Sequence, residues 1–263
     1  MLFQFILDTS SFFLYTVCRF SNPNSFKAAP MKAIKNPPNL KEAVYQRLKE
    51  SIIRGEISPG SKLVETQISQ ALGVSRTPLR EATSRLGQEG LLEVVPRRGT
   101  FVRKQSLNEI LESLEIREAL EGLAARLAAR HATPDVIQKM KNCFSAFSPK
   151  NVENSIKDYA QQNVRFHHLV IQASQNRRLI GIIRNLYDQM DMVRLHTIVL
   201  PGRARKSLSE HRAIIRLIEE RKGDLAEKCL RLHIRDLRKA VRNYPNPGGS
   251  PLPAFPGSET GER

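Results

Sequence analysis

The side chains with most chemistry to offer in the second half of the chain are three imidazoles and an amide. Asn163 and His167 stand four residues apart, so a helix puts them on one face. His211 and His233 fall on two later helical segments. Three imidazole nitrogens and an amide oxygen aimed at one point can hold a divalent metal ion. Bonds of about 2.0–2.1 Å would leave positions open for water or a carboxylate. Spacing alone leaves the alternative standing, in which each histidine is separately hydrogen-bonded in a core. Arg117 is equally two-sided. Turned inwards, a guanidinium grips a carboxylate with two parallel bonds. Turned outwards, it pairs with Glu121, four residues on. His131, His168 and His196 read as structural or solvated. The run Arg203, Arg205, Lys206 reads as a basic loop surface that could also touch DNA.

Those residues need helices to carry them. From Leu107 to Asn243 apolar positions recur at helical spacing, and strand signals are absent. Turn-forming stretches divide the run into about six helices, roughly 107–131, 134–147, 151–175, 177–199, 204–222 and 224–243. Their Leu, Ile and Val stripes bury against one another as a bundle.

The first half has different grammar. Leu40 to Arg54 carries Leu40, Val44, Leu48, Ile52 and Ile53 on one stripe, and Gly55 stops it. The turn Ser58-Pro59-Gly60-Ser61 leads to a short strand over Lys62 to Val64, with Leu63 buried. Ile68, Ala71 and Leu72 then give a short helix one apolar face, and Gly73 ends it in a left-handed cap. Ser75 can cap the next helix, and Pro78 sits in its first turn, where a missing N–H costs nothing. Leu79, Ala82 and Leu86 point into a core; Arg76, Thr77, Arg80 and Ser84 lie towards the other faces. Leu92 to Val95 and Thr100 to Val102 pair as a ribbon with Pro96, Arg97, Arg98 and Gly99 at its tip. This is a winged helix-turn-helix. The second helix suits base edges and phosphates of a major groove, and the basic tip suits the backbone or minor groove. The fold class is therefore mainly α: an N-terminal winged helix-turn-helix with a small β-ribbon, then a C-terminal all-α helical bundle.

Charge agrees with a polyanionic partner. The 263 residues hold 42 Lys+Arg against 26 Asp+Glu, a formal net charge of +16. The excess runs through both halves, so it does not locate the site; the motif does. Cys18, Cys143 and Cys229 are widely separated, with no metal-type pair spacing, and their odd number fits free thiols in a reducing cytoplasm. Leu2 to Val17 is largely apolar, but Asp8 interrupts it and no Lys or Arg precedes it. It fits neither a secretory signal nor a transmembrane span of about 20 apolar residues. Met31 reads as the natural start, with 1–30 a disordered upstream extension and a membrane tether as the alternative. The Pro- and Gly-rich stretch 244–263 reads as a disordered tail.

GVSRTPLREA, followed by RLGQEGLLEVVPRRGTFV, resembles the DNA-binding domain of the GntR superfamily of bacterial transcription regulators, from about residue 40 to 104. The resemblance implies DNA contacts from Ser75, Arg76, Thr77 and Arg80 on the recognition helix, and from Arg98 and Gly99 in the wing. It also shows a departure: where some members carry a DNA-contacting Arg after the Glu that opens the motif, this chain has Thr66.

IREALEGLAARLAARHA, NVRFHHLVIQASQNRRL and SEHRAIIRLIEERKGDLAEKCLRLHI resemble the FCD ligand-binding domain of the FadR-type branch, and a count of about six helices its VanR-like group. That resemblance implies a divalent metal (zinc, nickel or manganese) on Asn163, His167, His211 and His233, an organic acid held through it, and Arg117 pointing into the cavity. Asn163 stands where an Asp is usual, which removes a negative charge and leaves the site more positive. The implied domains are 31–104 for DNA and 107–243 for effector binding and dimerisation. The implied protein is a cytoplasmic homodimeric regulator, a repressor rather than an enzyme. It would bind a two-fold operator and a small carboxylate effector. The rival readings are a metal-dependent enzyme fused to a DNA-binding domain, told by turnover of an acid, and a nonspecific nucleic-acid binder, told by equal affinity for any duplex.

Overall fold

Two apolar clusters organise the chain, and each follows from helix periodicity. In the first helix, α1 (Leu40–Ile53), Val44, Leu48 and Ile52 lie one turn apart and are fully buried. The Asn39 side chain opens it by accepting the Glu42 N–H at 3.2 Å. The computed structural model describes residue 34, residues 37–184, 186, 193 and 197–245.

Next come α2 (Glu65–Leu72) and α3 (Arg76–Gln88), turned against each other at Gly73, which adopts φ 68°. Ser75 occupies the cap position of α3, but its side chain makes no cap bond. Ile68, Leu72, Leu79 and Leu86 close this core with the α1 stripe. Strands β1 (Leu92–Val95) and β2 (Gly99–Val102) pair antiparallel from Leu92↔Val102 to Val95↔Gly99. The tip demands left-handed backbone: Arg97 has φ 62° and Gly99 φ 111°. The strand expected over Lys62 to Val64 shrinks to a single bridge, Lys62↔Phe101. The reason is immediate: Val64 is already the cap residue of α2, so the chain leaves the ribbon after one pair. Leu63 is buried, as expected.

Arg103 leads out of the ribbon towards α4 (Leu107–His131), which opens on a capping box between Ser106 and Glu109. Then come α5 (Pro134–Asn142), α6 (Ile156–Ala173), α7 (Arg177–Arg184), α8 (Arg203–Glu219) and α9 (Gly223–Arg242). Helix α5 ends at Asn142, short of the expected 147. Beyond it the carbonyls of Phe144 and Phe147 turn to the Arg212 guanidinium, at 3.2 and 2.6 Å, so they need no helical partner. Helix α6 accordingly begins at Ile156 rather than 151.

Helices α4 and α9 run antiparallel. Glu118–Arg235 (2.5 Å), Glu115–Arg238 (2.7 Å) and Arg126–Glu227 (3.4 Å) tie their edges. Gly122 makes the close approach possible, because a Cβ there would come within 2.5 Å of Arg231 Cγ. Ile110, Leu114, Ala124, Phe144, Phe166, Ile214 and Leu230 contribute to the second core, and Ile53 of α1 packs against it. Among the described residues no helix is long and apolar enough to cross a membrane. The expected extension 1–30, nearly all of the tail 244–263, and His196 with most of 185–196 lie outside the described residues.

Candidate functional site

Helix α6 delivers two of the expected residues. Tyr159, Ala160, Asn163, Phe166, His167, Val170 and Ile171 form its buried face, so Asn163 and His167 are polar members of an apolar stripe. Helix α8 brings His211 on the face shared by Ala204, Ser207 and Leu208, and α9 brings His233 beside Leu230, Ile234 and Leu237. All three imidazoles are buried, and ligand nitrogens on the three lie within 4.8 Å of one another. Asn163 is buried on the wall of a cavity of about 10 Å³ that His167, His233, Ser207, Arg117 and Arg203 also line.

The partners of the rings decide which nitrogen is available. His167 Nδ1 is 2.5 Å from Glu121 Oε2, and His233 Nδ1 is 2.6 Å from Glu210 Oε2. An ionised carboxylate only accepts, so each Nδ1 carries a proton, and in the neutral ring Nε2 then keeps its lone pair. His211 Nδ1 is 3.2 Å from the Tyr159 hydroxyl. Burial pushes that phenol up, so it stays protonated. Burial, reinforced by the neighbouring rings and Arg203, holds His211 and His233 well below the usual imidazole range. Both are neutral at pH 7, the state that binds metal. Phe144 stacks on His211 at 4.8 Å and Phe166 lies 4.6 Å from it, which seals that side with aromatic surface. The donor set fits a divalent ion. Nitrogens about 3.4 Å apart suit bonds of about 2.0–2.1 Å, and small ring rotations reach that from separations within 4.8 Å.

The two expectations for Arg117 merge. Its side chain is buried, and its Nε donates to Glu121 Oε1 at 2.9 Å. The pairing with Glu121 is real, but it lies inside the bundle. Arg203 is a correction. The surface reading of the basic run holds for Arg205 and for Lys206, which pairs with Asp236 at 2.7 Å. Arg203 is instead buried at the first position of α8, because Glu210 and the His233 backbone carbonyl accept it there: Nη2 is 2.8 Å from Glu210 Oε2 and 3.4 Å from the His233 oxygen. His131 is exposed and His168 half-buried; neither lines this cavity. Sequence reasoning missed Tyr159, Ser207, Arg203 and Glu210, and misplaced Glu121. The signal for Glu121 was present, since positions 110, 114, 117, 121, 124, 125 and 128 follow one helical face whose other members, Arg117 apart, are Ile, Leu or Ala.

The other expected site lies at the surface. Thr66, Ser75, Arg76, Thr77 and Arg80 are exposed around the α2–α3 turn, and Arg80 Nε donates to Glu65 Oε2 at 3.0 Å. Arg97 and Arg98 are exposed at the ribbon tip, the Arg98 guanidinium 5.8 Å from the Phe101 ring centre, and Gly99 is half-buried beside Lys62.

Two family models match the chain: bacterial regulatory proteins of the gntR family over residues 40–102, and the FCD domain over residues 112–236. The Nta operon transcriptional regulator of Aminobacter aminovorans is 30% identical over 178 residues, 67% of this chain and 82% of that one. A probable D-xylose utilization operon transcriptional repressor of Paenarthrobacter nicotinovorans is 30% identical over 184 residues, covering 70% and 80%. The HTH-type transcriptional repressor RspR of Escherichia coli (strain K12) is 27% identical over 201 residues, covering 76% and 88%. These relatives are transcriptional regulators, not enzymes. The E. coli McbR/YncC structure shares the fold with a TM-score of 0.67 at 21% identity, covering 80% of this chain and all of that one. The chain belongs to the GntR family of bacterial regulatory proteins, in its FadR-type branch with a C-terminal FCD domain.

Proposed function

We propose that this protein is a homodimeric transcription repressor whose grip on a two-fold operator is released by a small carboxylate held beside a divalent ion. The observation that carries the effector half is the convergence of three buried, outwardly unrelated histidines within 4.8 Å. A globular core does not need three imidazoles at one point, and each costs free energy to bury unless it is hydrogen-bonded. His167, His211 and His233 would hold the ion, with Asn163 offering a neutral oxygen. An imidazole-rich set suits zinc or nickel better than manganese. When bound, the ion supplies positive charge that anchors a carboxylate, and Arg117 flanks it from α4.

Residues 31–104 would read DNA through Ser75, Arg76, Thr77 and Arg80, with Arg98 and Gly99 on the flanking backbone or minor groove. Residues 107–243 would bind the effector and dimerise. Repression is the sign named for two of the relatives. A two-fold operator places half-sites about 34–36 Å apart or a multiple of that, and a two-fold protein matches it. Release follows if the acid binds better to a dimer arrangement whose winged domains miss that spacing.

The test is metal content and operator release, measured side by side. Purified without chelator, the wild-type chain should carry about one divalent ion, and His211→Ala none, with operator affinity retained. The variant should also fail to release DNA when the acid is added. A wild-type chain that takes up no zinc, nickel or manganese would end the metal reading. A His211→Ala chain that releases DNA normally would end the effector assignment.

A further inference from the structure

Two relays of the same form flank the histidine centre. On one side Arg117 Nε donates to Glu121 Oε1 at 2.9 Å, and Glu121 Oε2 accepts from His167 Nδ1 at 2.5 Å. On the other, Arg203 Nη2 donates to Glu210 Oε2 at 2.8 Å, and the same oxygen accepts from His233 Nδ1 at 2.6 Å. Three of these four side chains outside the rings, Arg117, Glu121 and Arg203, are buried, and Glu210 is 17% exposed. The elements differ completely: the first relay runs from α4 to α6, the second within α8 and across to α9.

We infer that Glu121 and Glu210 are positioning residues for a metal-binding centre, and that Glu121 supplies from behind His167 the negative charge that neutral Asn163 does not. The inference rests on the metal reading above. A carboxylate that accepts a hydrogen bond from Nδ1–H does three things at once. It fixes the tautomer, so that Nε2 is the nitrogen with the lone pair. It fixes the ring's rotation. It also polarises the ring, which makes Nε2 a stronger donor to a cation. The arginines keep the carboxylates oriented, since a guanidinium holds a carboxylate only in a restricted plane.

The position of the charge follows from the substitution at 163. A carboxylate at that position would neutralise part of the ion directly. With an amide there, the charge that remains lies one bond network further out, on Glu121, which sits across the same cavity wall through His167. Among the described residues no carboxylate is bonded to His211; its Nδ1 faces the Tyr159 hydroxyl, so the polarising relays serve two of the three rings.

The experiment is a competition titration of zinc against a chromophoric chelator, with full-length wild type, Glu210→Gln, Glu121→Gln, Asn163→Asp and Glu121→Gln/Asn163→Asp. Each single Gln variant should bind zinc about 10–100-fold more weakly, the range that loss of such a partner produces. Asn163→Asp should restore at least tenfold in the Glu121→Gln background and gain clearly less when made alone in the wild-type chain, a difference that a merely structural role for Glu121 would not produce. Glu210→Gln keeps the inference falsifiable if Glu121→Gln folds poorly, and metal-free melting of each variant separates the two effects. Single Gln variants within about twofold of wild type would overturn the inference while the metal reading stands. A Glu121→Gln loss that Asn163→Asp leaves untouched would overturn the charge role of Glu121. A wild-type chain that binds no zinc would overturn the metal reading, and this inference with it.

Discussion

Arg80 and Arg117 make the same contact in two different solvents. Each is held by a glutamate through Nε, at 3.0 Å to Glu65 and 2.9 Å to Glu121. The Arg80 side chain is 65% exposed and that of Arg117 1%. At the surface the pair is worth about 0–1 kcal/mol, because water competes for both partners. Inside, neither partner can return to water without unfolding, so breaking the pair leaves a buried charge. Arg80 can therefore exchange its carboxylate for another anion at little cost, whereas Arg117 is fixed where it lies.

The contrast sets an order of effects. Arg117→Ala should have the largest, a loss of about 3–5 kcal/mol in urea unfolding, since it removes the guanidinium that balances the buried Glu121 carboxylate. A loss below about 1 kcal/mol would mean that the two pairs are energetically alike and the comparison fails. Arg80→Ala should leave unfolding unchanged but cost about 1–3 kcal/mol in operator binding, read as a shift in the DNA titration at fixed salt. Affinity equal to wild type would remove Arg80 from the residues that read bases. Glu65→Gln should be the mildest. Stability should move by less than about 1 kcal/mol, while binding to random duplex rises because an acid has left the surface beside Arg80. No change on random DNA would place Glu65 too far from the phosphates to matter.

The same contrast explains what could be read from the residues alone. The winged half is written locally. Gly73, Pro78 and Gly99 each fix a turn or a helix start within a few residues, and the exposed arginines follow in the same stretch. Where it went astray, over Lys62 to Val64, two local signals competed and the start of α2 won. The histidine centre is assembled from three distant helices. Asn163 and His167 show their shared face by spacing, but nothing local joins them to His211 or His233; resemblance to FCD domains did that. Glu121 was legible as a charge inside an apolar helical stripe. Arg203 was not, because its burial depends on α9 bringing His233 across it and on Glu210 one turn and three residues further along α8. In a run of basic residues nothing distinguishes the one that turns inwards.

The short connection between the two halves has a mechanical consequence. Glu109 accepts the Ser106 N–H at 2.8 Å at the start of α4, and the same carboxylate pairs with Arg103, which follows β2 directly. Arg103 in turn donates its own N–H to the Leu91 carbonyl at 2.9 Å. A free tether of four residues would spread its ends over about 11 Å and absorb any movement of the helix. Here one carboxylate clamps the first turn of α4 to the foot of the ribbon. Residues 103–106 are thus tied to both halves by backbone and side-chain bonds, which leaves less slack between the ribbon and α4 than their length alone would allow.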